Sequence, residues 1–247
     1  MILAAAQTKP KREDITANLL DHYRLIELAA GKNVNLIVFP EMSITGYERE
    51  RAEGLAFYPE DTRLDKLKEL AAKYKIIIVA GAPIKINSNL FIGEFILFPD
   101  KSEQIYTKQF LHPGEEIYFI QSFEYNPTIK IENEQISSAI CADIDNPLHS
   151  ENACKGRSSI YMPSIFFSPN GIPEAHNLLS CYAAKYSMNV LMSNFSGESW
   201  GSPAGGRSAF WTKEGKLLAE MDNSTSGLLI VEKINESWRA QTIIEQL

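Results

Sequence analysis

The sequence predicts a layered α/β sandwich, and three observations predict it. Apolar, β-branched runs alternate with amphipathic helical patterns through the N-terminal part of the chain, a rhythm that makes a sheet with crossover helices. Two strand-like runs, residues 89–98 (NLFIGEFILF) and 103–108 (EQIYTK), then follow with only a Pro99-Asp100 turn between them, which reads as an antiparallel hairpin. The remainder returns to strand and helix patterns. Parallel and antiparallel strands mixed in this way, with helices outside, imply stacked layers and not a simple doubly wound sheet.

The elements follow in order. Residues 2–7 (ILAAAQ) read as a buried strand. Ile15, Leu19, Tyr23, Ile26 and Ala30 recur at helical spacing, and Gly31 supplies a stop. Residues 34–40 (VNLIVFP) are a second strand. Thr62 is expected to cap a helix running to about Tyr74, with Leu67, Leu70, Ala71 and Tyr74 on its inner face, and 76–81 (IIIVAG) is strand again. Residues 135–141 (QISSAIC) form a strand that ends at Cys141. Further strands are expected at 158–162, 190–194, 207–212, 216–221 and 227–232, with a helix near 173–187. Residues 233–247 match neither a strand nor a capped helix and are expected to be a tail or a dimer-contact segment, its apolar Ile243, Ile244 and Leu247 meeting a partner subunit. Without a repeat, low-complexity tract or linker, residues 1–247 read as a single domain.

Composition narrows the function classes. With 45% hydrophobic and 22% charged residues the chain is globular and not disordered. No apolar run approaches the roughly 20 residues that span a bilayer. The opening MILAAAQTKPKRED puts its charges after the apolar stretch, the reverse of a secretory signal, so a cytoplasmic location is expected. Net charge is −7, and the densest basic cluster is Lys9, Lys11 and Arg12, so neither nucleic acid nor membrane is an expected partner. The three cysteines, Cys141, Cys154 and Cys181, are an odd count without CxxC spacing, which suits a reducing compartment. Four scattered histidines make no metal motif, and no cofactor is expected.

Three polar residues fall at strand ends: Glu41 after VNLIVFP, Lys108 closing EQIYTK, and Cys141 closing QISSAIC. In α/β sheets the carboxyl ends of strands are where ligands bind. A carboxylate, an ammonium and a thiol brought together there form a complete set for acyl transfer. Glu41 takes the thiol proton and later activates water. Lys108 favours thiolate and stabilises the oxyanion, and the Ala142 N–H is a second oxyanion donor. Singly, each residue reads as packing or surface; the joint pattern carries the inference. On this reading Cys141 is the reactive thiol, while Cys154 and Cys181 are buried small residues.

The segments FPEMSITGY (39–47), YTKQFLHPGEEIYF (106–119) and ICADIDNP (140–147) resemble, in order and spacing, the three motif blocks of the nitrilase superfamily of carbon–nitrogen hydrolases. The resemblance continues through NVLMSNFSG (189–197), GGRSAFW (205–211) and GLLIVE (227–232). It implies a four-layer αββα sandwich, commonly paired into a dimer. It also implies Glu41 as general base, Lys108 as oxyanion-stabilising lysine and Cys141 as nucleophile. A second active-site glutamate follows the lysine in the family; Glu115 matches it best and Glu116 is the alternative. Tyr47 and Phe166 are candidate substrate-pocket residues with Ala142, Phe167 a further wall candidate, and Met42, Trp200 and Trp211 possible contributors.

The function this implies is hydrolysis of a small amide through a cysteine thioester. CADIDNP lacks the aromatic and the Arg-Phe-Pro stretch of many amidase members, and the first arginine after Cys141 is Arg157, which weighs against N-carbamoyl amino acids. Nitrile hydrolysis is an alternative within the superfamily. Two other classes compete: a Cys–His hydrolase using His149 or His176, and a non-catalytic binding protein on the same fold.

Overall fold

Side chains alternate along the strands and so sort into two cores. In the computed structural model, which describes residues 1–245, Leu3, Ala5, Leu36, Val38 and Val79 face inward to a second sheet. Their neighbours Ala4, Ala6, Ile37, Ile78 and Ala80 face outward to helices.

The elements are β1 (Ile2–Gln7), α1 (Ile15–Ala30), β2 (Leu36–Val38), α2 (Ala52–Leu55), α3 (Asp65–Tyr74), β3 (Ile77–Ile86), β4 (Asn89–Leu97) and β5 (Glu103–Thr107). The chain continues through β6 (Thr128–Ile131), β7 (Glu134–Ile140), α4 (Pro147–Lys155), β8 (Ile160–Ile165), α5 (Ile172–Tyr186) and β9 (Asn189–Asn194). The last six are β10 (Glu198–Ser199), β11 (Ser202–Pro203), β12 (Ala209–Trp211), β13 (Leu217–Glu220), β14 (Gly227–Ile234) and β15 (Ser237–Ile244).

One sheet has seven strands in the order β15-β14-β1-β2-β3-β4-β5, and the other has six in the order β13-β12-β9-β8-β7-β6. In the first, β1, β2 and β3 are parallel, and β4 and β5 are each antiparallel to the strand before. β5 therefore runs in the same direction as β2, and the ends of both strands lie at one edge. In the second, β7, β8 and β9 are parallel. Helices α1 and α3 cover the outer face of the first sheet through Leu25, Ile26, Ala29, Leu67 and Leu70. Helix α5 carries Ala175, Leu179, Tyr182 and Ala183, spaced to cover the second sheet. The layers are α, β, β, α. Across the middle, Ser193 Oγ donates to Ala6 O at 2.6 Å and Ser164 Oγ to Phe39 O at 2.9 Å, a close approach that the small side chains of β1 permit.

The structure corrects several expectations. Residues 233–244 are not a tail: β14 runs on to Ile234, and β15 pairs with it along its full length. Trp238 and Ala240 of β15 pack on the inner core and Ile243 on the outer one, while Ile244 is exposed; Leu247 lies outside the described residues. Strand 34–40 pairs only over Leu36–Val38, freeing the chain to turn at Pro40-Glu41. The helical turn at Thr62 is capped by Asp61, which accepts from Arg63 N, and not by Thr62. Strand β6 and helix α2 had no clear pattern in the sequence. Cys154 is half-buried and Cys181 exposed, where burial was expected.

Candidate active site

Glu41 lies on a tight elbow after β2. The next residue, Met42, has φ of 49°, and the turn is pressed against β3, where a Cβ on Gly81 would lie 2.4 Å from Met42 N. Only glycine permits that approach. Ser43 Oγ meets both the Gly81 N–H and the His22 ring of α1, fixing the elbow from behind. Cys141 begins a short helical turn after β7 with φ of 44°, a left-handed conformation that side chains other than glycine adopt at a cost of about 1–3 kcal/mol. Lys108 follows β5, and its N–H donates to Ile92 O at 2.8 Å.

These turns converge. Lys108 Nζ donates to Glu41 Oε1 at 2.8 Å and to Glu115 Oε1 at 2.9 Å, and all three side chains are 0% exposed. Tyr47 Oη donates to the same Glu115 oxygen at 2.6 Å, and His112 N donates to Glu115 Oε2 at 2.7 Å. Glu116 instead accepts from Gly114 N at the exposed surface. Of the two glutamates, Glu115 is the one in contact with Lys108. The Cys141 thiol lies against the Phe166 carbonyl at 4.0 Å. Among the described residues Glu41 Oε2 is buried without a hydrogen-bond partner, so one carboxylate oxygen is available to take a proton.

The electrostatics follow from burial and charge count. Burial drives the Glu41 carboxyl up to about 7; Lys108 opposes the rise and Glu115 adds to it. Burial also raises the Cys141 thiol well above its ordinary value, and the carboxylates Glu41 and Glu115 outweigh the ammonium of Lys108. Lys108 acts in the expected direction, lowering the thiol, but burial and the two carboxylates around the one ammonium outweigh it. Burial works against the charge on Lys108, but Glu41, Cys141 and Glu115 overcome it and the ammonium is held firmly protonated.

The surrounding side chains divide clearly. Tyr47 contacts Phe166 with ring centroids 5.3 Å apart and Trp200 at 5.8 Å. Ala142 directly follows Cys141 and is buried. Met42 is packed in the core, and Trp211 lies edge-on to His176 at 4.9 Å.

Comparison with known proteins decides the family. The family described as Carbon-nitrogen hydrolase matches residues 2–241. The chain belongs to it. This hydrolase acts on carbon–nitrogen bonds other than peptide bonds and carries the nitrilase-superfamily fold. It is 27% identical over 210 residues to a hydrolase in the agr operon of Staphylococcus aureus, covering 82% of this chain and 80% of that protein. It is 28% identical over 160 residues to a protein N-terminal amidase of Schizosaccharomyces pombe, covering 59% of this chain and 56% of that one. A cysteine-to-alanine variant of the amidase from Nesterenkonia sp. AN1, in complex with butyramide, superposes with a TM-score of 0.84 at 19% identity, over 96% of this chain and 92% of that one.

Two features of the hydrolase were not legible in its sequence. Asp143 ties the lysine turn to the cysteine turn: Oδ1 accepts from Gln109 N and Phe110 N at 2.9 and 2.8 Å, and Oδ2 accepts from Ile140 N at 2.8 Å and Tyr106 Oη at 2.6 Å. Since Tyr106 gives its proton to Asp143, its oxygen accepts from His149 Nε2, and His149 Nδ1 accepts from Tyr161 Oη. His149 is thus committed to two tyrosines as neutral imidazole, its pKa lowered by burial against the pull of Asp143. His176 meets the Arg207 carbonyl. Both ring nitrogens of His149 are engaged away from the thiol, which removes the support for a Cys–His mechanism. The other feature is Glu94 on β4, fully buried with neither carboxyl oxygen paired among the described residues, beside the equally unpaired Ser138 Oγ. Burial pushes the Glu94 carboxyl up to about 8, partly offset by Ser164 and Ser138, with Asp143 and Glu41 adding to the rise. A carboxyl replacing an apolar residue in mid-strand leaves no pattern in the sequence.

Proposed function

We propose that the hydrolase cleaves small amides through a thioester on Cys141, releasing ammonia or an amine. The observation that carries this is Lys108 Nζ held between Glu41 and Glu115 beside a buried thiol, with Glu41 Oε2 unpaired. The raised thiol pKa means that a free thiolate is not the resting nucleophile. Cys141 Sγ attacks the carbonyl carbon as Glu41 takes its proton, so charge does not accumulate on sulfur in the dry site. The oxyanion forms toward Lys108 Nζ and the Ala142 N–H. As the tetrahedral adduct collapses, the carbon–nitrogen bond breaks and Glu41 returns the proton to the departing nitrogen. Water then attacks the thioester carbon as Glu41 takes its proton, the carbon–sulfur bond breaks, Glu41 returns the proton to Cys141 Sγ, and the carboxylic acid leaves. Glu115 is a positioning residue on this scheme: it holds Lys108 over the reacting carbon, and Tyr47 and the His112 N–H hold Glu115.

Two further points support the reading. In a glutamate-to-glutamine variant of the Nesterenkonia amidase, the acetamide moiety of fluoroacetamide is added covalently at the active site cysteine. In this chain Glu41, Lys108, Cys141, Glu115 and Tyr47 are all present and buried, which disfavours a non-catalytic binding protein. An ammonia-release screen over small aliphatic amides, ω-amides, carbamoyl compounds and nitriles tests the proposal. Turnover of amides, abolished in Cys141→Ala, is the expected result; turnover of nitriles or carbamoyl compounds with amides untouched would refute it. A homodimer is also proposed, on the exposed apolar side chains Ile117, Phe123 and Leu148 near the lysine turn and α4. Sedimentation that finds only a 27.7 kDa species at micromolar concentration would count against the dimer.

A further inference from the structure

Asp143 takes no part in the proton transfers proposed above, yet it is fully buried and both its oxygens are engaged twice. Oδ1 accepts from the N–H groups of Gln109 and Phe110, the two residues after Lys108. Oδ2 accepts from the N–H of Ile140, the residue before Cys141, and from Tyr106 Oη, two residues before Lys108. All four act as donors, which only the ionised, acceptor-only form of the carboxyl can meet. A buried charge is costly unless its hydrogen bonds are complete, and here they are complete.

One carboxylate thus joins the turn that carries the ammonium to the turn that carries the thiol. On the cysteine side, its bond to Ile140 N closes the turn in which Cys141 is held at φ of 44°. On the lysine side, Asp143 holds the two residues that follow Lys108, while Ile92 O of β4 takes the Lys108 N–H at 2.8 Å. The chain of hydrogen bonds behind Tyr106 runs in one direction. Tyr161 Oη of β8 donates to His149 Nδ1, and His149 Nε2 of α4 donates to Tyr106 Oη, both at 2.8 Å. Tyr106 is left to give its single proton to Asp143.

We propose that Asp143, oriented by Tyr106 and His149, is a positioning residue for acylation that sets where Lys108 Nζ stands relative to Cys141 Sγ. The inference rests on the amide-hydrolase reading above. A misplacement of about 1 Å between reacting groups is enough to cost about a hundredfold in rate. Asparagine has the size of aspartate, but one of its two ends is a donor. Whichever way it lies, its NH2 faces N–H groups of the lysine turn or the N–H of Ile140, and one turn loses its hold.

The test is the rate at which 4-nitrophenyl acetate acylates Cys141 in wild type, Asp143→Asn, Lys108→Met and the double variant. Mass analysis of the acid-quenched Cys141 peptide reads that thiol apart from Cys154 and Cys181. Asp143→Asn is expected to slow acylation by about a hundredfold when Lys108 is present. In the Lys108→Met background it should slow it by no more than about threefold, because a misplaced ammonium costs nothing once the ammonium is gone. A loss of packing alone would slow both backgrounds by the same factor. Tyr106→Phe, which removes one of the four bonds and keeps the ring, serves the same comparison should Asp143→Asn fail to fold. Its expected factors are about tenfold with Lys108 and no more than about twofold without it. Equal factors in the two backgrounds, or no slowing while Lys108 is present, overturns the inference. Failure of wild type to hydrolyse any amide instead overturns the reading on which it rests.

Discussion

Replacing Glu115 by Gln should move the pH profile of the enzyme toward acid while slowing it. On the proposed scheme Glu41 takes a proton only when ionised, so kcat/KM should rise with pH through the Glu41 pKa, about 7 in the free enzyme. Part of that elevation comes from the Glu115 charge. Both carboxylates contact one nitrogen, at 2.8 and 2.9 Å, so their bonded oxygens lie less than about 6 Å apart. At an effective dielectric of about 20, like charges at about 5 Å repel by roughly 3 kcal/mol, an upper limit of about two pH units. Allowing for relaxation, the acid limb should shift down by about one unit in Glu115→Gln. Because Lys108 loses an anionic anchor, kcat should also fall, by about tenfold or more. The assay is ammonia release across pH 4.5 to 9 with wild type and variant on one amide. A limb that stays in place or moves toward alkali would refute the assignment of Glu41 as the titrating base.

Thiol labelling should follow exposure and not catalytic role: iodoacetamide at neutral pH is expected to reach the exposed Cys181 first with activity retained, and Cys141 only slowly, with loss of turnover as its label accumulates. Peptide mass spectrometry against residual activity checks this, and rapid Cys141 labelling would contradict the protonated, buried thiol. Glu94 should make stability fall as pH rises. Its folded-state pKa of about 8 lies above its ordinary value of 4.5, so the native state binds the extra proton between them, and the contribution present below about 4.5 is lost through about 8. The full effect is at most on the order of 5 kcal/mol, and urea unfolding at pH 5 to 8 should show a flatter dependence for Glu94→Gln than for wild type; parallel curves would mean that Glu94 is not protonated in the native state.

How much of this was legible in the sequence depends on how local the cause is. The parallel strands were readable because their apolar runs are bounded by turn residues, and Glu41 could be placed because Pro40 ends one of them. Cys141 could be placed for the same reason. The burial of Lys108 was not readable: an isolated lysine belongs at the surface, and what holds this one inside is a pair of carboxylates from two other segments. Glu115 and Glu116 are indistinguishable by composition. The left-handed Gly114 and the short helical turn after it send the first inward and leave the second at the surface. Strand β15 was missed because it is an edge strand whose side chains are mostly exposed, so its alternation is weak and its pairing with β14 is the main thing that defines it. The clamp at Asp143 depends on backbone groups from two separate segments and on a tyrosine hydroxyl, which no sequence spacing encodes.

The central claim is that the carbon–nitrogen bond is broken by formation of a thioester on Cys141. Acid-quenching the enzyme during turnover of an amide, followed by mass analysis of the Cys141 peptide, tests it most directly. The account predicts an acyl adduct on that peptide that appears with substrate, decays as substrate is exhausted, and is absent in Cys141→Ala along with ammonia release. Ammonia release that persists in Cys141→Ala, or an acyl group found only on another residue, would contradict it.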